Sequence, residues 1–161
     1  MPFTPLHMGP GIVVKAAMRQ RFSLMVFGWS QVVIDLQPLY VMLGGHGELH
    51  GFSHTLPGAT LIGLFCALTG KPLGELGLRI LREPQHLPIG WRISAVSAFI
   101  GTYSHIAIDS IMHSDVFPLA PLSNATPWHG IISIEALHVV CVAAAVLGGI
   151  VYAAGGWQDK K

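Results

Sequence analysis

The sequence predicts an all-α fold. It is an integral membrane helical bundle of about four transmembrane helices, preceded by a short, half-inserted N-terminal helix. Three observations predict it. Hydrophobic residues make up 52% of the chain and charged residues 11%, where soluble domains average about 25% charged. Four apolar stretches approach the roughly 20 residues that a bilayer core of about 30 Å demands. The 161 residues suit one domain spanning 1–161, too small to hide so many apolar stretches in a soluble core.

Each element follows from its local composition. Pro5 to Met18 reaches only ~20 Å at about 1.5 Å per residue, too short to span. Its Gly9-Pro10-Gly11 suits a re-entrant or half-inserted helix rather than a soluble one. Phe22 to Leu43 is long enough to cross and carries one carboxylate, Asp35, before Gly44-Gly45-His46-Gly47 ends it. His54 to Thr69 is a slightly short span. Pro57 sits in its first turn, where the missing N–H costs little, and Gly70-Lys71-Pro72 is expected to stop it. A polar connection from Lys71 to Arg92 has room for a short interfacial helix around Leu73 to Leu81. Trp91 to Met112 carries His105 and Asp109, and a Pro-rich loop from Phe117 to Trp128 follows. Ile131 to Ala154 is the cleanest span, with Glu135 and His138 near its start and a polar tail, Gln158-Asp159-Lys160-Lys161, behind it.

Lysine and arginine near span ends mark the cytoplasmic side. Lys15, Arg19 and Arg21 precede the second stretch. Lys71, Arg79, Arg82 and Arg92 lie between the third and fourth, and Lys160 and Lys161 follow the fifth. With alternating spans, all of them fall on one side, so the C-terminus is expected in the cytoplasm. The same alternation puts His7, Asp35, His50, His54, His105, Asp109, His113, His129, Glu135 and His138 toward the outer face; only His86 falls on the cytoplasmic side. Met1-Pro2-Phe3-Thr4-Pro5 lacks the basic start of a signal peptide. A net charge of +1 gives no reason to expect nucleic acid as a partner. Cys66 and Cys141 lie inside apolar runs and read as reduced packing residues.

Ionisable groups inside a membrane are expensive and usually functional. His105 and Asp109 share a helix face at i, i+4, and His113 is one turn further. His50 and His54 repeat that spacing if their helix begins early. Imidazole nitrogen with carboxylate oxygen suits zinc, manganese or iron. The candidate metal ligands are His7, Asp35, His50, His54, His105, Asp109 and His113, enough for one or two divalent ions, zinc first. His113 and His129 read equally as substrate contacts or surface residues; His46 and His86 read as loop residues. Glu135 and His138, at i, i+3, could transfer protons or form a Glu-x-x-His metal pair. They could equally be a hydrogen-bonded pair in the core. The bland alternative for the whole set is metal-free hydrogen bonding between helices.

Three pieces of the chain resemble a known family. Met1-Pro2-Phe3-Thr4-Pro5-Leu6-His7, Leu49-His50-Gly51-Phe52-Ser53-His54-Thr55, and Ser104-His105-Ile106-Ala107-Ile108-Asp109-Ser110 leading to Pro118 and Pro121 resemble the predicted membrane-bound metal-dependent hydrolases of the DUF457 group. The chain departs from that pattern twice. Gly51 stands where the family has arginine after its first histidine, and Val33-Ile34-Asp35-Leu36 replaces the usual Pro-Asp pair. The His-x-x-x-Asp motif is also similar to zinc-dependent phospholipase C. The resemblance implies a bacterial inner-membrane enzyme that hydrolyses a phosphoester or phospholipid, with a membrane lipid or lipid-linked molecule as substrate. Without hydrolysis, the same ligands would serve a metal transporter or sensor. Without metal, the chain would be a membrane structural protein.

Overall fold

The computed structural model describes residues 5–158 and is helical throughout, with no strand among the described residues. A 3-10 turn, Pro5–His7, leads into α1 (Met8–Met18). α2 (Leu24–Ile34) and α3 (Leu36–Met42) follow, then a 3-10 turn, Phe52–His54, and α4 (Leu56–Ile80). α5 (Trp91–Met112) and α6 (Ile134–Gln158) complete the chain. The opening Met1 to Thr4 and the basic end Lys160-Lys161, used above for resemblance and topology, lie outside the described residues.

Three helical stretches are long and apolar enough to cross a membrane: Leu24–Met42, Leu56–Ile80 and Ile134–Gly155. α5, expected as a fourth span, has 22 residues but is not among them. It is the polar centre of the bundle, burying Ser94, Ser97, Thr102, His105, Asp109 and Ser110 against α2 and α4.

Two expectations are corrected. The second stretch is not one continuous helix. It breaks at Asp35, because Pro38 has no N–H to offer the Ile34 carbonyl one turn back. Helical bonding resumes with Leu39 N donating to Asp35 O at 3.0 Å. The third stretch does not stop at Gly70-Lys71-Pro72, and no separate interfacial helix follows. α4 runs on to Ile80 with Pro72 inside it, so Lys71 belongs to a helix rather than a connection. An interior proline costs about 3 kcal/mol. Packing on both sides offsets it: Ala67 and Leu78 join Val26, Cys66, Ile89 and Ala98 in one buried cluster, and Lys71 pairs with Glu75 one turn on.

Polar ties fix how the helices run. Ser94 Oγ donates to Ala67 O at 2.6 Å, and Thr60 Oγ1 meets Tyr103 Oη at 2.8 Å, so α4 and α5 are antiparallel. Ser23 N donates to Ser97 Oγ at 2.9 Å and Gln31 Nε2 to Gly101 O at 2.9 Å, so α2 runs with α5. These two helices approach closely at Gly101, where a Cβ would sit 1.9 Å from Ser30 Oγ. α1 lies along α6 in the same direction, and a Cβ on Gly9 would sit 2.1 Å from the Cys141 carbonyl oxygen. Small residues permit such backbone approach between apolar helices. The bundle therefore has two chemically different ends. The starts of α1, α4 and α6 meet the ends of α2 and α5 at one; Lys15, Arg19, Arg79 and Arg92 lie toward the other.

Candidate metal centre

The first end gathers the histidines and buried carboxylates. His7 enters on the turn before α1, Asp35 sits at the break between α2 and α3, and His54 occupies the turn before α4. His105 and Asp109 come from consecutive turns of α5. All five are buried, His54 and His105 completely. The local sequence explains the placement of His54. Thr55 caps α4 by accepting from Gly58 N at 3.1 Å, and the bare Cα of Gly58 lets the preceding turn fold over it, since a Cβ would meet Phe52 O at 1.9 Å.

Asp109 is the hub. Its Oδ1 lies 3.1 Å from His7 Nε2, and its Oδ2 lies 3.2 Å from both His54 Nε2 and His105 Nε2. Asp35 Oδ1 lies 3.3 Å from His105 Nε2 and 3.9 Å from His54 Nε2. None of the three Nε2 atoms has a partner in hydrogen-bond geometry, although all are buried. Tetrahedral ligands at about 2.0–2.1 Å from an ion stand about 3.4 Å apart, which is close to these separations. The four residues Asp35, His54, His105 and Asp109 could hold a metal ion.

The tautomer of His105 follows from its neighbours. Gln31 Nε2 donates to the Gly101 carbonyl, which can only accept, so Gln31 Oε1 faces His105 Nδ1 at 2.9 Å. Nδ1 therefore carries a proton, so in the neutral imidazole the Nε2 lone pair points toward two carboxylates. Lone pair against anion is unfavourable unless a cation lies between them. Outer partners of this type orient metal-binding histidines. His54 has one as well: its Nδ1 meets Ser53 Oγ at 2.8 Å, and Ser53 N donates to Gln37 Oε1 at 2.8 Å.

A second group adjoins the first. His50, Asp109 and His113 also offer atoms at ligand spacing, and Asp109 belongs to both groups. His113 stacks on His50 with centroids 4.5 Å apart, and His7 stacks on His105 at 4.4 Å. Asp115 Oδ2 meets His50 Nδ1 at 2.9 Å. Partial burial raises the Asp115 carboxyl, but the His50 contact more than offsets it and holds it below the ordinary carboxylate range. The loop carrying Asp115 is tied down at both ends: Leu56 N donates to Pro118 O at 2.8 Å and Gly130 N to Ile111 O at 3.1 Å.

The metal candidates read from the sequence thus converge: His7, Asp35, His54, His105 and Asp109 in one knot, His50 and His113 beside it. Glu135 and His138 do not belong to either group. Glu135 is exposed at the start of α6 beside Ser133 and His138, while His138 Nε2 is buried without a hydrogen-bond partner among the described residues. His46 and His129 are exposed, and Cys66 and Cys141 are free and buried. Gln31 and Asp115 escaped the sequence reading. Gln31 carried a signal, because it lies one helical turn before Asp35 on the same face. Asp115 carried none; only loop folding brings it to His50.

A cavity of about 320 Å³ opens beside the second group, lined in part by Glu48, His50, Phe52 and Phe117. It contains no lysine or arginine. No known protein family, curated protein or solved structure matches the chain.

Proposed function

We propose that the chain is an integral membrane metal-dependent hydrolase acting on a phosphoester or phospholipid at the outer membrane face. The observation that carries this reading is the convergence of three buried imidazole Nε2 atoms, none in hydrogen-bond geometry, on two buried carboxylates at ligand spacing. Asp35 and Asp109 are buried carboxylates, and a divalent cation between them would balance their charge. The N and O donor set suits zinc, with manganese or iron as alternatives. Asp35, His54, His105 and Asp109 would hold the first ion. His50 and His113 would hold a second through the shared Asp109, or would face substrate beside a single ion.

A bound divalent metal supplies Lewis acidity for phosphoryl chemistry. The chain does the positioning. Gln31, Ser53 and Asp115 hold the imidazoles of His105, His54 and His50. The cavity beside His50 receives the head group, and the exposed apolar faces of α4 and α6, including Leu64, Leu68, Val139 and Val146, face lipid. α5 crosses with them, shielded by its neighbours, which makes four spans. With the basic end in the cytoplasm, the metal end opens outward.

The test is elemental analysis of the purified protein together with a screen of phosphoester and phospholipid substrates. The wild-type chain should contain zinc or a similar metal and hydrolyse a member of the panel. His105→Ala with Asp109→Ala should remove most of both. Metal content unchanged by the double substitution would overturn the site.

A further inference from the structure

The opposite end of the bundle holds a larger cavity, of about 480 Å³. It lies where α1, α2 and α4 end or begin near the 81–90 connection. Phe22, Leu78, Ile89 and Ile93 give it apolar walls, and Lys15, Gln20, Glu83 and His86 give it polar groups. On α5, Ile93 is 16 residues from Asp109, about 24 Å along the helix at about 1.5 Å per residue. The two cavities are therefore separate.

Lys15 sets its chemistry. This side chain is 7% exposed, and its ammonium donates to Arg19 O at 2.8 Å and Phe22 O at 2.9 Å. Both acceptors are neutral carbonyls. An ammonium has three donors, and the only lysine ion pair among the described residues is that of Lys71 with Glu75. A second cation stands beside it: Lys15 Nζ and Arg19 Cζ lie 5.7 and 5.5 Å from the centroid of the Tyr152 ring. At the mouth, His86 Nδ1 meets Gln20 Oε1 at 3.2 Å. Glu83 lines the same cavity but makes no ion pair with Lys15 among the described residues; a buried cation left so is costly, and an anion held on Lys15 would complete it.

We propose that this cavity binds an amphiphile with a net-anionic phosphate head group, the head group on Lys15 and the chain along Phe22, Leu78 and Ile93. Charge complementarity selects an anion. Size and lining select an amphiphile, because the volume is that of a small-molecule site with apolar walls rather than of one small ion. Basic pockets between helices at the cytoplasmic side of a membrane suit anionic lipid head groups.

The experiment uses the full chain in detergent, followed by native mass spectrometry with phosphatidylglycerol, phosphatidylcholine or inorganic phosphate. Phosphatidylglycerol should be retained selectively, and Lys15→Met should lower that retention about tenfold or more, the worth of a charge-assisted hydrogen bond. His86→Glu, at the half-buried mouth, should weaken it without disturbing the fold. An unchanged circular dichroism spectrum in both variants shows that each is folded, and this readout does not depend on the metal site. Equal retention of phosphatidylcholine, equally tight binding of inorganic phosphate, or an unaltered Lys15→Met variant would each overturn the proposal.

Discussion

Gln31 offers the sharpest test of how the site is built. Gln31→Met keeps the length of the side chain and removes its amide. Two hydrogen bonds disappear, to His105 Nδ1 and Gly101 O, each 2.9 Å long. The Gly101 carbonyl keeps Ser104 Oγ at 3.1 Å, so only the His105 N–H is left without a partner. One unpaired buried group costs about 1–3 kcal/mol, and the apo variant should lose stability on that order. Its effect on metal binding at the proposed centre should be larger than that of an ordinary buried hydrogen bond. Freed from Gln31, His105 can move its proton to Nε2 and no longer presents a lone pair to Asp35 and Asp109. Loss of an outer partner typically weakens metal binding about 10–100-fold, or about 1.4–2.8 kcal/mol. Competition between the purified protein and a chromophoric chelator for Zn²⁺ measures this directly. A Kd equal to that of the wild type, with binding abolished in the His105→Ala, Asp109→Ala control, would refute the tautomer argument.

Further outcomes follow from the same geometry. Pro38→Ala restores an N–H to the Ile34 carbonyl, so helicity by circular dichroism should hold or rise while zinc affinity falls, because straightening at Asp35 moves its carboxylate. Gly101→Ala places a Cβ against Ser30 Oγ; overpacking of this type costs about 1–3 kcal/mol, to be read as a lower midpoint in thermal unfolding together with loss of metal. Single cysteines at Ser123 and Glu83 should react with an impermeant maleimide from opposite sides of the membrane, Ser123 from outside; the reverse pattern would invert the orientation. His86 titrates below the ordinary imidazole range, because burial, then Lys15, disfavours its charged form. It is therefore neutral at pH 7, and its NMR titration midpoint should rise in Lys15→Met.

Part of this was legible in the residues alone. Composition pointed to helices, because apolar segments long enough to cross a bilayer satisfy their backbone within themselves. The bounds of α5, Trp91 to Met112, match the expected stretch, and the His-x-x-x-Asp spacing put His105 and Asp109 on one face. Connectivity with alternating direction was enough to gather His7, Asp35, His50 and His54 near that face, since charge and polarity recur at the same end of successive helices.

The remainder depended on contacts between segments distant in sequence. Local rules end a helix at Gly70-Lys71-Pro72, but burial of Leu78 against Val26 and Ile89 outweighs one missing hydrogen bond. The break at Asp35, by contrast, is local, because Pro38 opens the ladder one turn on. Glu135 and His138 had attractive spacing, yet α6 packs along α1 and leaves Glu135 exposed. Asp115 meets His50 only because its loop is tied to the start of α4. Sequence by itself determined which residues could ligate and on which helices they stand. Tertiary structure decided which of them share a centre, and which uncharged neighbours aim them, because hydrogen-bond direction depends on the packed position of both partners.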